Sequence, residues 1–454
     1  MNCFIFKKTQ TINFPQEANK ELFSELLKNY TYGWDFDIKC DSRDFCISTG
    51  NFQKADIGDF EYVINITSEG FYIGANSYSG VIHGFTTLLE KIQYTKSENV
   101  FKLECCTIRE KPEISFRCVH LCVFPETKLD FIKKCIRTCG IAKYSHIIIE
   151  FWGMLRFDCM RELSWPFAYT KEEAKRVIGE ANSLGMEVIP MFNHLGHASA
   201  CRERNGKHVI LDQNPRYEYL FNDFGWEWKF EDEEVYSLLK QIRKELIELC
   251  GNGGYFHLGC DEAYSLGHGT NSGKELCEYL NRIEAELESE GRRAIIWGDM
   301  LLDKESFKNE PERYSANCET EIVDTITAHL NKNIIIADWQ YSLTCQKWKS
   351  AQMLSNKGFD IICCPWDNIE NAKSAIDTVQ SLNLYGIMHT TWHTLFSGFP
   401  SMVFSGKSSW NKSAYMIHKK EGYHYCASIA RRVCPANGDY EKAGWSEKMT
   451  GPGL

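Results

Sequence analysis

The fold is decided by residues 145–193, where two apolar runs flank a helical stretch: SHIIIEFW (145–152), TKEEAKRVIGEANSLG (170–185) and MEVIPMFN (186–193). The first and third segments are short and almost continuously apolar, which favours strands that are buried on both faces. The middle segment closes on glycine, as helix C-termini often do. Strand, helix and strand in this order predict a parallel sheet covered by helices.

The same pattern of apolar strand and amphipathic helix recurs along the chain from Phe116 onwards. Six further strand candidates have this character: RCVHLCVF (117–124), GYFHLGCDE (254–262), RAIIWGDM (293–300), NIIIADWQ (333–340), FDIICCPW (359–366) and YGIMHTTW (385–392). Eight repeats of this unit predict an α/β fold, a (β/α)8 TIM barrel in which helices surround eight parallel strands. A doubly wound sheet is the alternative.

Residues 1–112 have a different pattern, which predicts a small accessory α/β domain before the barrel. The segment EYVINITSEGFYIGANS (61–77) contains two alternating runs around a turn and indicates a hairpin. A helical stretch follows it, and the segment around Pro112 is the expected linker. The catalytic barrel is therefore expected to span residues 113–454, with a helical extension at its C-terminal end.

The composition is that of a soluble globular protein, with 43% hydrophobic and 25% charged residues. The formal net charge is -10 and no long block of Lys and Arg occurs, so nucleic acid and anionic membranes are not expected as partners. No apolar run approaches the roughly 18 residues that span a bilayer, and lysines interrupt the N-terminal apolar patch too early for a signal peptide. We therefore expect a cytoplasmic protein with a small or neutral substrate, and its oligomeric state stays open.

Cysteine is frequent, with 20 residues, and most of them lie in apolar strands or on a helix. Buried reduced thiols are therefore expected rather than disulfides. The segment CVHLC places Cys118, His120 and Cys122 on one face of a strand, so a metal site is the alternative. Because a second set of ligands with suitable spacing does not follow, we expect neither a metal nor a cofactor.

In a barrel of this kind, the active site lies at the carboxyl ends of the strands. Polar and aromatic residues are concentrated at the predicted ends: Glu150, Trp152, Asn193, His194, His197, Asp261, Glu262, Trp297, Asp299, Asp338, Trp339, Trp366, Asp367, Trp392 and His393. Tryptophans around carboxylates are typical of sites that bind sugars, because the apolar face of a sugar ring packs on an indole. Aromatic side chains that only seal the barrel mouth are the alternative.

Asp261 and Glu262 are adjacent carboxylates at the end of the fourth predicted strand. Two close carboxylates in a poorly solvated pocket do not both ionise readily, so one is expected to hold a proton near neutral pH. A proton donor beside an anion can cleave a glycosidic bond through an oxocarbenium-like transition state. Capping of the following helix is the alternative role of this pair.

Three segments resemble glycoside hydrolase family 20, the β-N-acetylhexosaminidases, and within it the hexosaminidase D-like branch. The segment FHLGCDEAYSLG (256–267) resembles the H-x-G-x-D-E signature of the family. VIPMFNHLGHASA (188–200) is similar to the family segment that carries a proline, a glycine and a histidine, here His197. ANSYSGVIHGFTTLLEKI (75–92) resembles the end of the family's N-terminal domain. The resemblance extends over roughly residues 60–400.

The resemblance implies a retaining exo-β-N-acetylhexosaminidase that works by substrate-assisted catalysis through an oxazolinium intermediate. Asp261 would orient the 2-acetamido group of the substrate and stabilise its developing positive charge. Glu262 would act first as the acid and then as the base, and the charge of Asp261 would help to keep the pKa of Glu262 high. Many members have an Asp that pairs with the histidine at the position of His197, and Glu150 is the nearest candidate for that role.

The resemblance also implies which residues bind the sugar. Arg117 would hold ring hydroxyls, because its planar guanidinium suits two adjacent oxygens. The other sugar contacts would come from Trp297, Trp339, Trp366, Asp367 and Trp392. His194 is assigned to the substrate site because two histidines at the end of one strand favour a function. The long segment 201–230 is expected to shape the site.

Two other functions stay open. A conventional retaining β-glycosidase would use Glu262 as the acid and Asp367 as the nucleophile, and it would accept sugars without a 2-acetamido group. A noncatalytic sugar-binding barrel would bind its ligand without turnover. The sequence does not distinguish the gluco from the galacto configuration, and it does not name the natural leaving group.

Overall fold

Two small sheets and two helices form the N-terminal part of the chain, of which the computed structural model describes residues 2–50, 54, 56–199, 206–266, 273–395, 397–416 and 419–433. The strands are β1 (Cys3–Ile5), β2 (Thr11–Pro15), β3 (Asp37–Ser42), β4 (Cys46–Ser48), β5 (Tyr62–Ile66), β6 (Phe71–Ala75), β7 (Gln93–Thr95), β8 (Val100–Glu104) and β9 (Cys106–Glu110). The helices are α1 (Lys20–Tyr30) and α2 (Tyr78–Lys91). The predicted hairpin is the antiparallel pair β5 and β6.

The two N-terminal sheets have the orders β3-β2-β4-β6-β5-β9 and β1-β8-β7. Helix α2 packs on the larger sheet, with contacts to β5 and β6, and buries one face that includes Val81, Phe85 and Leu88. The last strand of the larger sheet ends at Glu110, and the next strand begins at Phe116. The division of the chain into two folding units at residue 112 stays a prediction.

Eight parallel strands follow and form one sheet in the order β12-β11-β10-β19-β18-β17-β16-β15. These strands are β10 (Phe116–Val123), β11 (His146–Phe151), β12 (Glu187–Ile189), β15 (Tyr255–His257), β16 (Arg293–Trp297), β17 (Ile335–Trp339), β18 (Ile361–Cys364) and β19 (Gly386–Thr390), and a two-stranded hairpin lies between the third and fourth of them, β13 (Phe221–Asn222) with β14 (Glu227–Trp228). A parallel bridge between Met191 and His257 joins the two edge strands, and His257 donates its backbone N–H to the carbonyl of Pro190 at 2.9 Å. The predicted (β/α)8 barrel is confirmed.

Helices connect the strands and cover the outside of the barrel. They are α3 (Leu129–Ile141), α4 (Lys171–Ser183), α5 (Ile210–Gln213), α6 (Glu233–Cys250), α7 (Gly273–Ser289), α8 (Thr320–His329), α9 (Lys349–Asn356), α10 (Ile369–Leu382), α11 (Phe399–Trp410) and α12 (Lys419–Val433). Helix α4 begins with a capping box, in which Thr170 and Glu173 satisfy each other's backbone N–H groups. None of the described helices combines the length and the apolar character needed to cross a membrane.

The barrel interior is filled, so chemistry is confined to its ends. All eight residues of β10 are buried, and inward side chains such as Ile148, Ile295 and Ile335 form one apolar cluster. The N-terminal sheets contact the amino ends of the strands, where Lys143 Nζ donates to the hydroxyl of Tyr62 at 2.7 Å. The carboxyl ends, at the opposite side of the barrel, carry the predicted site.

Candidate active site

Asp261 and Glu262 lie at the carboxyl end of β15, in a loop with an unusual backbone. Cys260 and Glu262 have left-handed φ values of 73° and 52°, so the chain turns sharply and both carboxylates project toward the same mouth. The loop after β12 packs directly on this turn at Gly196. A Cβ atom at that position would lie 2.1 Å from the carbonyl oxygen of Asp261, so only glycine allows this approach.

One imidazole contacts both carboxylates. Nε2 of His197 lies 3.3 Å from Oδ2 of Asp261 and 2.9 Å from Oε2 of Glu262. The other oxygen of Asp261 accepts a hydrogen bond from the amide of Asn193 at 2.9 Å. Asp261 is buried, whereas the side chain of Glu262 is 28% exposed. The site therefore holds one fixed, enclosed carboxylate beside one that a substrate can reach.

A buried lysine links Asp261 to a second polar network. Nζ of Lys207 donates to the amide oxygen of Asn193 at 3.1 Å and lies 2.9 Å from Oε1 of Glu150. Both side chains of this ion pair are almost fully buried. Burial alone would raise the pKa of Glu150, but the charge of Lys207 and the hydrogen bond from His120 lower it well below its ordinary value. Glu150 is therefore held as an anion.

Glu150 does not have the partner that the sequence suggests. Its Oε2 atom lies 2.8 Å from Nε2 of His120 and accepts the indole N–H of Trp152 at 2.8 Å. His197 pairs with Asp261 and Glu262 instead. The expected pairing of Glu150 with His197 is therefore wrong, because Lys207 and His120 already occupy both oxygens of this carboxylate.

The carboxyl whose pKa the Asp261 anion raises is Asp299, not Glu262. Burial and then the charge of Asp261 raise the pKa of Asp299 to about 7. Asp299 accepts the backbone N–H of Glu262 at 2.9 Å and the indole N–H of Trp339 at 3.0 Å, so it anchors the catalytic loop from below. Asp299, the acid whose pKa the charge of Asp261 raises, therefore lies at the end of the neighbouring strand β16.

Glu262 itself has a lowered pKa. Burial raises the pKa of Glu262, but hydrogen bonds from His197 and Tyr264, together with the charges of His197 and Lys207, lower it by more. The expectation that Asp261 keeps the pKa of Glu262 high is therefore wrong for the protein without substrate. Tyr264 on the same turn, together with His197 and Lys207 from the loop after β12, therefore outweighs the effect of burial.

The predicted tryptophans lie at different depths. Trp297 is fully buried and packs under Trp392, with ring centroids 5.6 Å apart, so it supports the site from within the barrel. Trp339, Trp366 and Trp392 are half-buried. The indole N–H of Trp392 donates to the hydroxyl of Tyr341 at 2.7 Å, and this hydrogen bond fixes the orientation of the indole ring.

Two predicted substrate-binding residues do not lie at the mouth of the barrel. Arg117 stands at the amino end of β10, about 20 Å of extended strand from the carboxyl end, and its guanidinium donates to the backbone carbonyls of Ile114, Ser115 and Lys143. His194 is buried behind the mouth, where its ring contacts the guanidinium of Arg243 at 3.0 Å. The expectation that Arg117 and His194 bind sugar is therefore wrong, since both side chains have protein partners away from the mouth.

Asp367 follows β18 and is exposed. Among the described contacts, none joins Asp367 to Asp261 or Glu262, so its predicted role in binding stays a prediction.

His120, Cys122 and Glu150 form a buried group in which one ligand atom from each lies within 4.8 Å of the others. Burial raises the pKa of the Cys122 thiol well above its ordinary value, and Lys207 supplies positive charge to Glu150, so these residues are a hydrogen-bonded network of neutral thiol and ion pair rather than a suitable cation site.

The long segment after β12 covers the site with buried aromatic side chains. Residues 200–205 lie outside the described residues. Trp226 donates its indole N–H to the carbonyl of Glu262 at 2.8 Å and packs on the ring of His197, with centroids 4.3 Å apart. Trp228 is fully buried. Both tryptophans therefore hold the loop against the barrel and the catalytic turn.

Sequence reasoning missed Lys207 and gave no role to Asn193 or Asp299. Asn193 and Asp299 stand at predicted strand ends, so their position was a usable signal. Lys207 lies in an irregular segment without periodicity, and only the fold shows that its ammonium reaches Glu150.

A family model described as "Glycosyl hydrolase family 20, catalytic domain" matches residues 149–374, which include the three-residue contact of His197, Asp261 and Glu262. The chain belongs to glycosyl hydrolase family 20. The resemblance that the sequence motifs indicate is thereby confirmed.

This family 20 chain is similar to two curated proteins over parts of their length. It is 22% identical over 343 residues to a lacto-N-biosidase from Bifidobacterium bifidum, and the alignment covers 70% of this chain and 28% of that protein. It is 28% identical over 173 residues to hexosaminidase D from Bos taurus, with 35% of this chain and 47% of that protein covered. The chain therefore spans less than half of the length of each of these relatives.

Among solved structures, the family 20 β-N-acetylhexosaminidase from Streptomyces coelicolor A3(2) superposes with a TM-score of 0.65 at 15% sequence identity. The superposition covers 97% of this chain and 93% of that protein. At this level of identity the similarity shows a shared fold, which includes both the N-terminal sheets and the barrel.

Proposed function

We propose that this family 20 chain is a retaining exo-β-N-acetylhexosaminidase that removes terminal N-acetylglucosamine or N-acetylgalactosamine from oligosaccharides or glycoconjugates. The observation that carries the proposal is the pairing of a buried Asp261 with a partly exposed Glu262, both within reach of one imidazole at the carboxyl end of the barrel. Adjacent carboxylates with these different exposures suit two different tasks in one reaction.

Asp261 would bind the 2-acetamido group of the substrate. Asn193 and His197 hold its two oxygens, so the carboxylate is fixed and its remaining lone pairs can accept the substrate N–H. The acetamido oxygen would then form a bond to the anomeric carbon while the bond from that carbon to the leaving oxygen breaks. The negative charge of Asp261 would stabilise the positive charge that develops on the acetamido group.

Glu262 would exchange the protons. It would first protonate the leaving oxygen and then, as a carboxylate, take a proton from the water that opens the oxazolinium ring, so the anomeric configuration is retained. Its lowered pKa means that acidic conditions populate the reactive, protonated form of the free protein. A bound sugar would exclude water and strengthen the effect of burial, which raises the pKa of this carboxyl.

The half-buried tryptophans would bind the faces of the sugar ring. Trp339, Trp366 and Trp392 each donate the indole N–H to a protein oxygen, so their orientations are set without ligand. Preset aromatic faces bind the apolar side of a sugar at a low entropic cost. Trp297 would support Trp392 from below.

Hydrolysis of matched aryl glycosides tests the proposed function. We expect cleavage of aryl N-acetylglucosaminide or N-acetylgalactosaminide and little cleavage of the plain glucoside and galactoside. A preference for the plain sugars would instead support the two-carboxylate glycosidase, and binding without turnover would support the sugar-binding barrel. Glu262→Ala is expected to slow substrates with poor leaving groups far more than activated aryl substrates, because only the former need the acid.

We also propose a cytoplasmic location, which the 20 cysteines support, since the described ones are free thiols and most of them are buried. Fractionation of the source cells, with the aryl substrate as the readout, tests this location. Activity recovered only from the extracellular fraction would contradict it.

A further inference from the structure

Tyr264 is an exposed aromatic residue close to the proposed acid. It stands two positions after Glu262 and is 42% exposed, and its side chain lowers the pKa of Glu262. Its ring lies nearly parallel to that of Trp226, with an interplanar angle of 13° and centroids 6.1 Å apart. The catalytic turn thus presents a flat aromatic surface beside the carboxyl that protonates the leaving oxygen.

The surroundings of Tyr264 hold this surface in place. Trp226 is buried and donates its indole N–H to the carbonyl of Glu262 at 2.8 Å, so the parallel ring behind Tyr264 is attached to the same turn. On the other side, the backbone N–H of Ser265 donates to Oε1 of Glu227 at 2.8 Å, and the hydroxyl of Ser265 donates to the second oxygen of the same carboxylate. The backbone on both sides of Tyr264 is therefore anchored to the β13–β14 hairpin.

We propose that Tyr264, supported by Trp226, is the binding surface for the leaving group, and that this leaving group is a pyranose ring. The inference rests on the proposed function, because an acid must contact the glycosidic oxygen at about 3 Å and the leaving group therefore begins beside Glu262. The next ring of the substrate extends over Tyr264, whose exposed aromatic face packs on the C–H face of a sugar. The preferred substrate is accordingly an N-acetylhexosaminide of another sugar rather than of a small alcohol.

Two substrates that differ only in the leaving group test the surface. One is a disaccharide with an N-acetylhexosamine at its non-reducing end, and the other is the methyl β-glycoside of the same N-acetylhexosamine. Both need the acid, so the ratio of their kcat/KM values isolates the contribution of the leaving ring. We expect Tyr264→Ala to lower this ratio by roughly tenfold, which corresponds to one aromatic stacking interaction.

Tyr264→Phe and Phe60→Ala are the matched controls. Tyr264→Phe keeps the ring and removes the hydroxyl that lowers the pKa of Glu262, so it is expected to change both kcat/KM values together and to preserve their ratio. Phe60 is 75% exposed in the N-terminal part of the chain, and its removal is expected to leave both values unchanged. An unchanged ratio in Tyr264→Ala, with both substrates still cleaved, would overturn the inference but not the proposed function.

The affinity for the disaccharide can be measured without turnover in a variant that cannot transfer the proton. In the Glu262→Gln background, calorimetric titration with the disaccharide is expected to show roughly tenfold weaker binding after Tyr264→Ala, while the affinity for free N-acetylhexosamine stays the same. Equal affinities of the two variants for the disaccharide would overturn the inference. If the wild type cleaves neither substrate, the proposed function fails, and this titration still tests the surface.

Discussion

Replacement of Lys207 by methionine is expected to destabilise the protein strongly. Methionine keeps most of the length and volume of the side chain and removes the charge. The ammonium lies 2.9 Å from Glu150 in a site where both side chains are almost fully buried. With an effective dielectric constant of about 20, the attraction at that distance is roughly 6 kcal/mol before desolvation is counted.

The net loss follows from what remains after the substitution. Glu150 keeps its contacts with His120 and Trp152 but loses the ammonium group that balances its buried negative charge. Removing one partner of a buried ion pair typically costs about 3–5 kcal/mol, and we expect Lys207→Met to lower the free energy of unfolding by that amount. The double variant Lys207→Met/Glu150→Gln is expected to regain about 2 kcal/mol or more relative to the sum of the single changes.

The pH range of this effect follows from the two pKa shifts. The pKa of Glu150 is lowered in the folded state, so its contribution is present above the unfolded value of about 4.3 and is lost as the pH falls through the folded value. The pKa of Lys207 is raised, so its contribution is present below about 10.4 and is lost as the pH rises through the folded value. The cost of Lys207→Met is therefore expected to be constant between about pH 5 and 10.

Urea unfolding followed by tryptophan fluorescence at pH 7 measures the cost. The wild type, the two single variants and the double variant form a double-mutant cycle, and coincidence with unfolding followed by circular dichroism checks two-state behaviour. A loss below about 1 kcal/mol in Lys207→Met, or an additive cycle, would refute the view that Lys207 holds Glu150 through a buried ion pair.

Three further predictions follow from the catalytic turn. Because the pKa of Asp299 is raised to about 7, its protonated form stabilises the folded state at low pH. The free energy of unfolding of the wild type, relative to that of Asp299→Asn, should therefore decrease as the pH rises from about 4 to 7, by at most ~4 kcal/mol. An equal dependence of the free energy of unfolding on pH in the two proteins would contradict this. Gly196→Ala is expected to push His197 away from Glu262 and lower kcat/KM by about 100-fold, since its Cβ would lie 2.1 Å from the carbonyl oxygen of Asp261; near-normal activity in steady-state assays would show that the loop yields freely. Because the pKa of Glu262 is lowered and the acid must be protonated, kcat/KM should already fall with rising pH below the ordinary glutamate value of about 4.3, and an alkaline optimum would exclude Glu262 as the acid.

The barrel could be predicted because its strands are buried on both faces. Continuous apolar runs such as IIIEF, separated by amphipathic helices, leave few other folds, and the carboxyl ends then follow from the direction of the chain. Asp261, Glu262 and His197 were found for the same reason: each stands just past a strand, where alternation ends and side chains of neighbouring strands meet.

The partners of the strand-end residues could not be predicted in the same way. Glu150 has the right position, but only the fold shows that His120 from the adjacent strand and Lys207 from an irregular loop reach it before His197 does. The prediction for Arg117 is wrong because the residue lies at the start of its strand, whereas the site lies at the opposite end, about 20 Å away. The pKa values of Glu262 and Asp299 could not be predicted either, because they depend on donors and charges from several parts of the chain.

The most direct test of the account is inhibition by a thiazoline-type bicyclic mimic of the oxazolinium intermediate. Its inhibition constant should be measured for the wild type and for Asp261→Asn, with an aryl N-acetylhexosaminide as the substrate. The account predicts competitive inhibition of the wild type at concentrations well below KM, and binding about 100-fold weaker in Asp261→Asn, because the variant loses the charge that faces the cationic ring. A wild type that cleaves the aryl substrate but ignores the mimic, or an unchanged inhibition constant in Asp261→Asn, would contradict it.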